Sequence, residues 1–276
     1  MNSAIHQLDA AGDVLRLVQI TDTHLLCQPG GTLLGLDTDH SLQQVIDLVL
    51  NQRSDMDLVL ATGDISDRGS EAAYLRARDY FARLPAETVW LAGNHDRQDL
   101  MQKVLGQEGC LVRALQAGHW QLVLLNSQIP GEAEGQIGQE ELDWLESCLE
   151  DAASKQLYTL ICLHHQPVAM GSAWIDQQQV TDCDAFFALV DRFPLVRGIL
   201  WGHVHQQHDS ERKGVRLMST PSSCFQFVPH NDDFKVDDKA PGYRWLELQA
   251  DGGIETAVCR VEGVEFKVDL ESRGYR

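Results

Sequence analysis

Five segments of the 276-residue chain set side chains able to bind a metal ion directly behind a short apolar run. "ITDTH" carries Asp22 and His24, "ATGD" carries Asp64, and "LAGNHD" carries Asn94, His95 and Asp96. "LICLHHQP" carries His164 and His165, and "LWGHVH" carries His203 and His205. Neutral imidazole nitrogens mixed with carboxylate and amide oxygens are the donor set of a metal site that keeps positions open for water or substrate. N/O ligation without thiolate suits Fe, Mn, Co or Zn, and the carboxylate and amide content favours Fe or Mn.

Taken singly, each piece has an ordinary alternative. An Asp-x-His pair arises by chance, and a lone histidine is more often a satisfied core residue. The ordered set of five outweighs those alternatives. In "GHVH" alternate residues of an extended segment project to the same face, which suits two ligands; in the doublet His164 and His165 neighbours point to opposite faces, so one of them is expected to bind. Gly63, Gly93 and Gly202 stand just before the polar residues, where a sharp turn out of a strand calls for a residue without a Cβ.

The elements that must position these groups are legible as patterns. "VLRLVQI" (14–20), "DLVLAT" (57–62), "TVWLAG" (88–93), "WQLVLLNS" (120–127), "LYTLICL" (157–163) and "VRGILWG" (196–202) are strand-sized and apolar throughout, as strands buried on both faces are. Between them, "DHSLQQVIDLVLNQ" repeats Leu42, Val45, Ile46, Val49 and Leu50 at helical spacing, and "SEAAYLRARDYFARL" opens on Ser70 as an N-cap. "GQEELDWLESCLEDA" and "DCDAFFALVDRF" are further helices. The alternation predicts an α/β protein with a largely parallel central sheet, whose strand ends would gather the five polar segments. Toward the C-terminus, "GVRLMSTPSS", "YRWLELQ" and "GIETAVCRV" follow one another without helices, with "ADGG" as a tight turn, and predict added antiparallel strands. One domain over 1–276 is expected, ending in a short tail from about 264.

Composition bounds the partners. A net charge of −19 argues against a protein that grips nucleic acid polymers, although a metal centre can still make one pocket positive. The seven cysteines form no C-x-x-C and no paired spacing, which predicts free thiols and a reducing compartment. No apolar run approaches the ~20 residues that span a bilayer and the N-terminus lacks signal-peptide features, so a cytoplasmic protein with no membrane association and no obligate protein partner is expected.

Read in order, D-x-H, GD, GNHD, HH-x-P and GH-x-H resemble the five motifs of the calcineurin-like metallophosphoesterases, from about Asp22 to His205. The "ITDTHLL" start, "HHQP", "STPSSCFQF" and "APGYR" look like the bacterial class III 3′,5′-cyclic AMP phosphodiesterases within that superfamily. The resemblance implies a four-layer sandwich, two mixed β-sheets flanked by α-helices, and two divalent metal ions per chain, with Fe or Mn favoured and Zn, Co or Mg compatible. By motif position Asp22, His24, Asp64 and His205 would hold one ion, and Asp64, Asn94, His164 and His203 the other, with Asp64 bridging and His165 behind them. It further implies hydrolysis of a cyclic nucleotide to the 5′ monophosphate, by in-line attack of a hydroxide shared by the ions. His24, Asp64, Asn94, His95 and His205 would then face the substrate, with His95 assisting the departing 3′ oxygen and Asp96 held against the second ring nitrogen of His95. "GDISDRG" also resembles the Ser/Thr protein phosphatase signature, which keeps that activity, or a broader phosphodiesterase or phosphomonoesterase, as the alternative. For Asp67 and Arg68 the preferred reading is a solvated turn ahead of Ser70. Phe225 and Phe227 are read as core packing, with a nucleotide-base platform as the alternative.

Overall fold

The computed structural model describes residues 5–9, 12–106 and 109–274. The first half of the chain forms β1 (His6–Gln7), β2 (Val14–Ile20), β3 (Thr32–Leu33), β4 (Leu36–Asp37), α1 (Thr38–Gln52), β5 (Leu58–Thr62), α2 (Glu71–Phe81), β6 (Glu87–Leu91), α3 (Gln98–Leu105), β7 (Ala114–Ala117) and β8 (Trp120–Leu124). The second half forms α4 (Gly138–Ser154), β9 (Tyr158–Cys162), α5 (Ala173–Asp176), α6 (Cys183–Val190), β10 (Val196–Trp201), β11 (His208–Arg212), β12 (Val215–Ser219), β13 (Gln226–Phe227), β14 (Val236–Asp237), β15 (Gly242–Gln249) and β16 (Ile254–Arg260).

The single central sheet expected from the alternation is in fact two. A five-stranded sheet runs β16-β15-β2-β5-β6 and a seven-stranded sheet runs β1-β7-β8-β9-β10-β12-β11, each mixing parallel and antiparallel pairs. The strands read as apolar on both faces because both faces are covered. Leu15, Leu17, Leu58 and Leu60 of the first sheet meet Leu122, Leu124, Leu160 and Leu200 of the second in one buried layer. Their strand neighbours Val18, Ile20, Val59 and Ala61 face α1 to α3 through Val45, Ile46, Val49, Ala73 and Leu105. On the far side Val123, Ile161 and Ile199 pack against Leu145, Leu149, Phe186 and Val190 of α4 and α6. The result is a helix, sheet, sheet, helix sandwich.

Local rules set the element ends. Ser70 Oγ accepts the Ala73 amide at 3.1 Å and caps α2, and Asp37 does the same for α1 through the His40 amide at 2.9 Å. The "ADGG" hairpin joins β15 to β16 as expected, with Gly252 at φ +85° donating to the Gln249 carbonyl at 3.0 Å. The C-terminal strands are not all antiparallel to their neighbours. β12 lies parallel to β10, because β11 turns back first and takes the sheet edge.

Two buried polar side chains tie the sheets together. Gln19 of β2 donates to Thr62 Oγ1 at 2.7 Å and to the Trp201 carbonyl at 3.2 Å across the layer, and accepts from Thr220. Arg244 of β15 crosses to Asp209 of β11 at 2.9 Å and to the Ser219 carbonyl at 2.8 Å. All seven cysteines are free thiols. Among the described residues no helix is long and apolar enough to cross a membrane.

Leu160 is wholly buried between the sheets, so Leu160→Ala is expected to lower unfolding free energy by about 2–5 kcal/mol in urea titration. Exposed Leu75→Ala should stay within about 0.5 kcal/mol of wild type.

Candidate metal centre

The five polar segments converge where the carboxyl ends of both sheets meet. Asp22, Asp64 and Asn94 follow β2, β5 and β6 of one sheet; His164, His203 and His205 follow β9 and β10 of the other. Two halves of a site therefore face each other across the layer boundary. The His203 amide stitches them by donating to both Asp22 carboxylate oxygens at 3.1 Å, and within the first half the His24 amide donates to the Asp64 carbonyl at 2.9 Å.

An unusual backbone aims the side chains. Asp22, His24, Asp64, His203 and His205 all adopt left-handed φ, from 46° to 64°. Asp and His are among the residues enriched there, so the same residue types supply donor atoms and tolerate the turn. Conformations of this kind cost about 1–3 kcal/mol each and persist where the surroundings over-determine them. The glycines act in two ways rather than one. Gly63, at φ +100°, makes a turn; Gly93 and Gly202 are needed for close approach, since a Cβ would meet Asp64 Oδ1 at 2.3 Å and Thr21 Oγ1 at 2.2 Å respectively.

The donor atoms point at one another. Asp64 Oδ2 lies 3.2 Å from His164 Nε2 and 3.6 Å from His24 Nε2, so one oxygen is common to two groups. His164 Nε2 is also 3.2 Å from Asn94 Oδ1. On the other side His205 Nε2 is 3.3 Å from Asp22 Oδ1 and 3.2 Å from His24 Nε2. The opposite ring nitrogens are engaged: His164 Nδ1 donates to the Thr62 carbonyl at 2.8 Å and His205 Nδ1 to the Phe225 carbonyl at 2.9 Å. Those bonds leave Nε2 as the lone-pair atom in each neutral ring, the arrangement that orients metal-binding histidines. His203 Nε2 is buried with no hydrogen-bond partner among the described residues, as a ligand atom would be. The donor set thus fits divalent cations.

Electrostatics agree with that fit. Burial would raise the Asp64 carboxyl, but the charges of His164 and His95 overcome it and hold it well below its ordinary value. Asp22 is also held low, by His205 against burial. Burial would lower His164, yet Asp64 raises it to about 9, so the space between them attracts positive charge, be it proton or metal. Burial holds His203 well below its normal range, keeping it neutral.

Around this centre several expectations change. Asp67 is not part of a solvated turn: its side chain is 4% exposed, with Oδ1 3.6 Å from His24 Nδ1, whereas Arg68 extends outward. His95, beside His24 at 4.8 Å between ring centroids, is oriented by the Asp67 carbonyl at 2.8 Å from Nδ1, not by Asp96. Asp96 instead accepts the Gly93, Ile65 and Ser66 amides at 2.9 to 3.1 Å and the Tyr74 hydroxyl at 3.0 Å, bracing the two loops that carry Asn94 and Asp64. Burial and the Asp64 charge push Asp96 up to about 6. Burial would lower His95, but Asp64 and the Asp67 carbonyl hold it above its ordinary value. His165 turns away, its Nδ1 2.8 Å from Ser127 Oγ and its ring against His203 at 4.7 Å, and burial pushes it down to about 3. Phe225 and Phe227 pack on His205, at 4.9 and 4.5 Å between centroids, in a small buried cluster. Cys224 stands beside His24 and His205, and burial drives its thiol well above its normal range, which keeps it protonated. Sequence reasoning missed Tyr74 and Gln128, whose amide donates to the Gly93 and Asp96 carbonyls at 2.7 and 2.6 Å, and no motif marks either; Cys224 falls within "STPSSCFQF", which assigns it no role.

Residues 15–207 match the family described as Calcineurin-like phosphoesterase. The chain belongs to that family. Among calcineurin-like phosphoesterases it is 42% identical to a 3′,5′-cyclic adenosine monophosphate phosphodiesterase CpdA of Pseudomonas aeruginosa, over 94% of each chain. It is 40% identical to the CpdA of Escherichia coli K12 over 97% of this chain and 98% of that one. The fold is similar to a dimetal phosphatase from Danio rerio, with TM-score 0.55 and 17% identity over 91% of this chain and all of the other (100%). It is also similar to GAP50 of Plasmodium, with TM-score 0.61 and 12% identity over 95% and 90%.

Gly93→Ala would drive a methyl group into Asp64, so it is expected to lower bound metal, measured by plasma mass spectrometry after Mn loading. Retained stoichiometry would contradict the close approach at Gly93.

Proposed function

We propose that the protein is a metal-dependent phosphodiesterase that hydrolyses 3′,5′-cyclic AMP to 5′-AMP. The carrying observation is the buried convergence of Asp22, His24, Asp64, Asn94, His164, His203 and His205 with His95 beside it, in a chain similar along nearly its full length to cyclic nucleotide phosphodiesterases. In this reading Asp22, His24, Asp64 and His205 hold one divalent ion, and Asp64, Asn94, His164 and His203 the other, with Fe or Mn as the preferred metals. Ions in such a pair act as Lewis acids, neutralise phosphoryl charge and lower the pKa of water.

The chain's own residues then divide the work. Asp64 serves both halves, consistent with its shared Oδ2. Only two of the seven donors are carboxylates, so the donor set leaves the pocket positive toward a singly charged phosphodiester. Asn94 contributes to that as a neutral ligand. The departing 3′ alkoxide is a strong base and needs a proton as the P–O bond breaks. His95 is partly exposed, at 24%, and holds its proton more tightly than an ordinary histidine. With Nδ1 committed to the Asp67 carbonyl, Nε2 is the atom that donates to the leaving oxygen.

His95→Ala is expected to lower kcat about 10²–10⁴-fold with metal content near wild type. A parallel loss of metal would make His95 a ligand instead. The substrate reading is checked with Mn-loaded and Fe-loaded protein on 3′,5′-cyclic AMP, 2′,3′-cyclic AMP, bis(p-nitrophenyl) phosphate and a phosphopeptide. Hydrolysis of 3′,5′-cyclic AMP to 5′-AMP is expected. Activity on the phosphopeptide alone would favour the protein phosphatase alternative.

A further inference from the structure

Two cavities flank His95, and they differ in chemistry. One, of about 550 Å3, is lined by the charged residues Asp67, Arg68, Arg97 and Asp99 together with Gln128. The other, of about 420 Å3, reaches from Asn94, His95 and His203 to an aromatic wall of Trp174, Phe227 and Phe234. Both are within the ~300–1,000 Å3 typical of small-molecule sites.

The aromatic wall is a braced unit. The Trp174 ring meets Phe227 at 4.8 Å and Phe234 at 5.2 Å, both nearly perpendicular. Phe227 in turn stacks on His205 at 4.5 Å and 21°. The α5 segment that carries Trp174 is fastened to the loop ahead of Phe234, with the Trp174 amide 3.1 Å from the Asp232 carbonyl and the Asn231 amide 3.2 Å from Ser172 Oγ. Phe227 is buried, but Trp174 and Phe234 are only partly so. Gln178, one turn beyond Trp174, lines the same cavity. Its side-chain amide makes no hydrogen bond to the described residues.

We propose that this cavity is the purine subsite, in which the base lies against Trp174 and Phe234 and Gln178 reads its edge. The proposal rests on the cyclic nucleotide reading of the same site. Of the two cavities that meet Asn94 and His95 among the described residues, this is the one with aromatic side chains in its lining, so a nucleotide whose phosphate lies there can extend its base into it. A glutamine amide offers one donor and one acceptor, which matches the N7 acceptor and N6 donor of adenine; guanine presents two acceptors on that edge. The pair thus selects adenine over guanine.

The test compares kcat and KM of wild type, Trp174→Ala, Trp174→Phe and Gln178→Ala on 3′,5′-cyclic AMP, 3′,5′-cyclic GMP, ribose 3′,5′-cyclic phosphate, which has no aromatic group, and bis(p-nitrophenyl) phosphate. Base stacking on an aromatic side chain is worth ~1–3 kcal/mol, so Trp174→Ala should weaken kcat/KM for cyclic AMP by ~5–150-fold, mostly through KM. Ribose 3′,5′-cyclic phosphate should change less than about twofold, and Trp174→Phe should recover most of the loss on cyclic AMP. Gln178→Ala should bring the cyclic AMP to cyclic GMP ratio toward one. Equal losses on cyclic AMP and on the base-free ribose phosphate in Trp174→Ala, or an unchanged nucleotide ratio in Gln178→Ala, would overturn the subsite. Wild-type protein that cleaves the phenyl diester and no cyclic nucleotide would overturn the substrate reading itself.

Discussion

The structure depends on holding hydrogen-bond acceptors face to face. Asp22, Asp64, Asn94 and the imidazoles of His24, His164 and His205 bring donor atoms within 3.2 to 3.6 Å of one another in a space removed from water. Left to themselves such groups repel, and burial without a compensating charge is costly. The neighbouring residues oppose that tendency. The left-handed turns aim the side chains, the glycines allow backbones to pass at contact distance, and backbone carbonyls of Thr62 and Phe225 fix the imidazole rings from behind.

The two sheets are the frame on which those forces balance. Each delivers part of the donor set from its own carboxyl edge, so the site exists only while the sheets keep their relative position. The leucine layer between them supplies most of the cohesion, and Gln19 adds direction: its amide links β2, β5 and the end of β10 directly under the site. Asp96 plays a comparable part at the rim. A carboxylate that accepts three amides and a tyrosine hydroxyl holds two ligand loops in one register.

The cleft above has two faces with His95 between them. A charged, hydrophilic face and an aromatic face suit a substrate with a phosphoryl group at its centre and dissimilar groups on either side. In the proposed subsite, specificity would reside in α5 and the loop ahead of β14, outside the ordered motifs, whereas the candidate metal donors lie at the strand ends. The two can vary independently, which is how one fold serves several phosphoesters.

The residues that meet at the centre were legible from the chain because each of the five segments repeats the same local event, a buried strand ending in a polar turn, and because residue type alone limits what can bind a metal. Strand and helix positions followed from hydrophobic spacing, as at β2, α1 and the Ser70 cap. Spacing could not tell one central sheet from two, since a strand covered on both faces reads the same in either. It also could not show that His95 is turned by the Asp67 carbonyl rather than by its neighbour Asp96, because Asp67 lies 28 residues away in sequence and only the path of the 64–67 loop brings it to the ring. Phe225 and Phe227 read as core packing in the sequence, with a base platform as the alternative. Their burial behind His205, and the appearance of Trp174 at the cleft in their place, came from how α5 and the loop ahead of β14 pack together. Sequence alone determined which donor atoms this protein has. Tertiary structure decided which atoms face one another, because that depends on contacts between distant segments, such as His24 and His205, 181 residues apart, which no local pattern encodes.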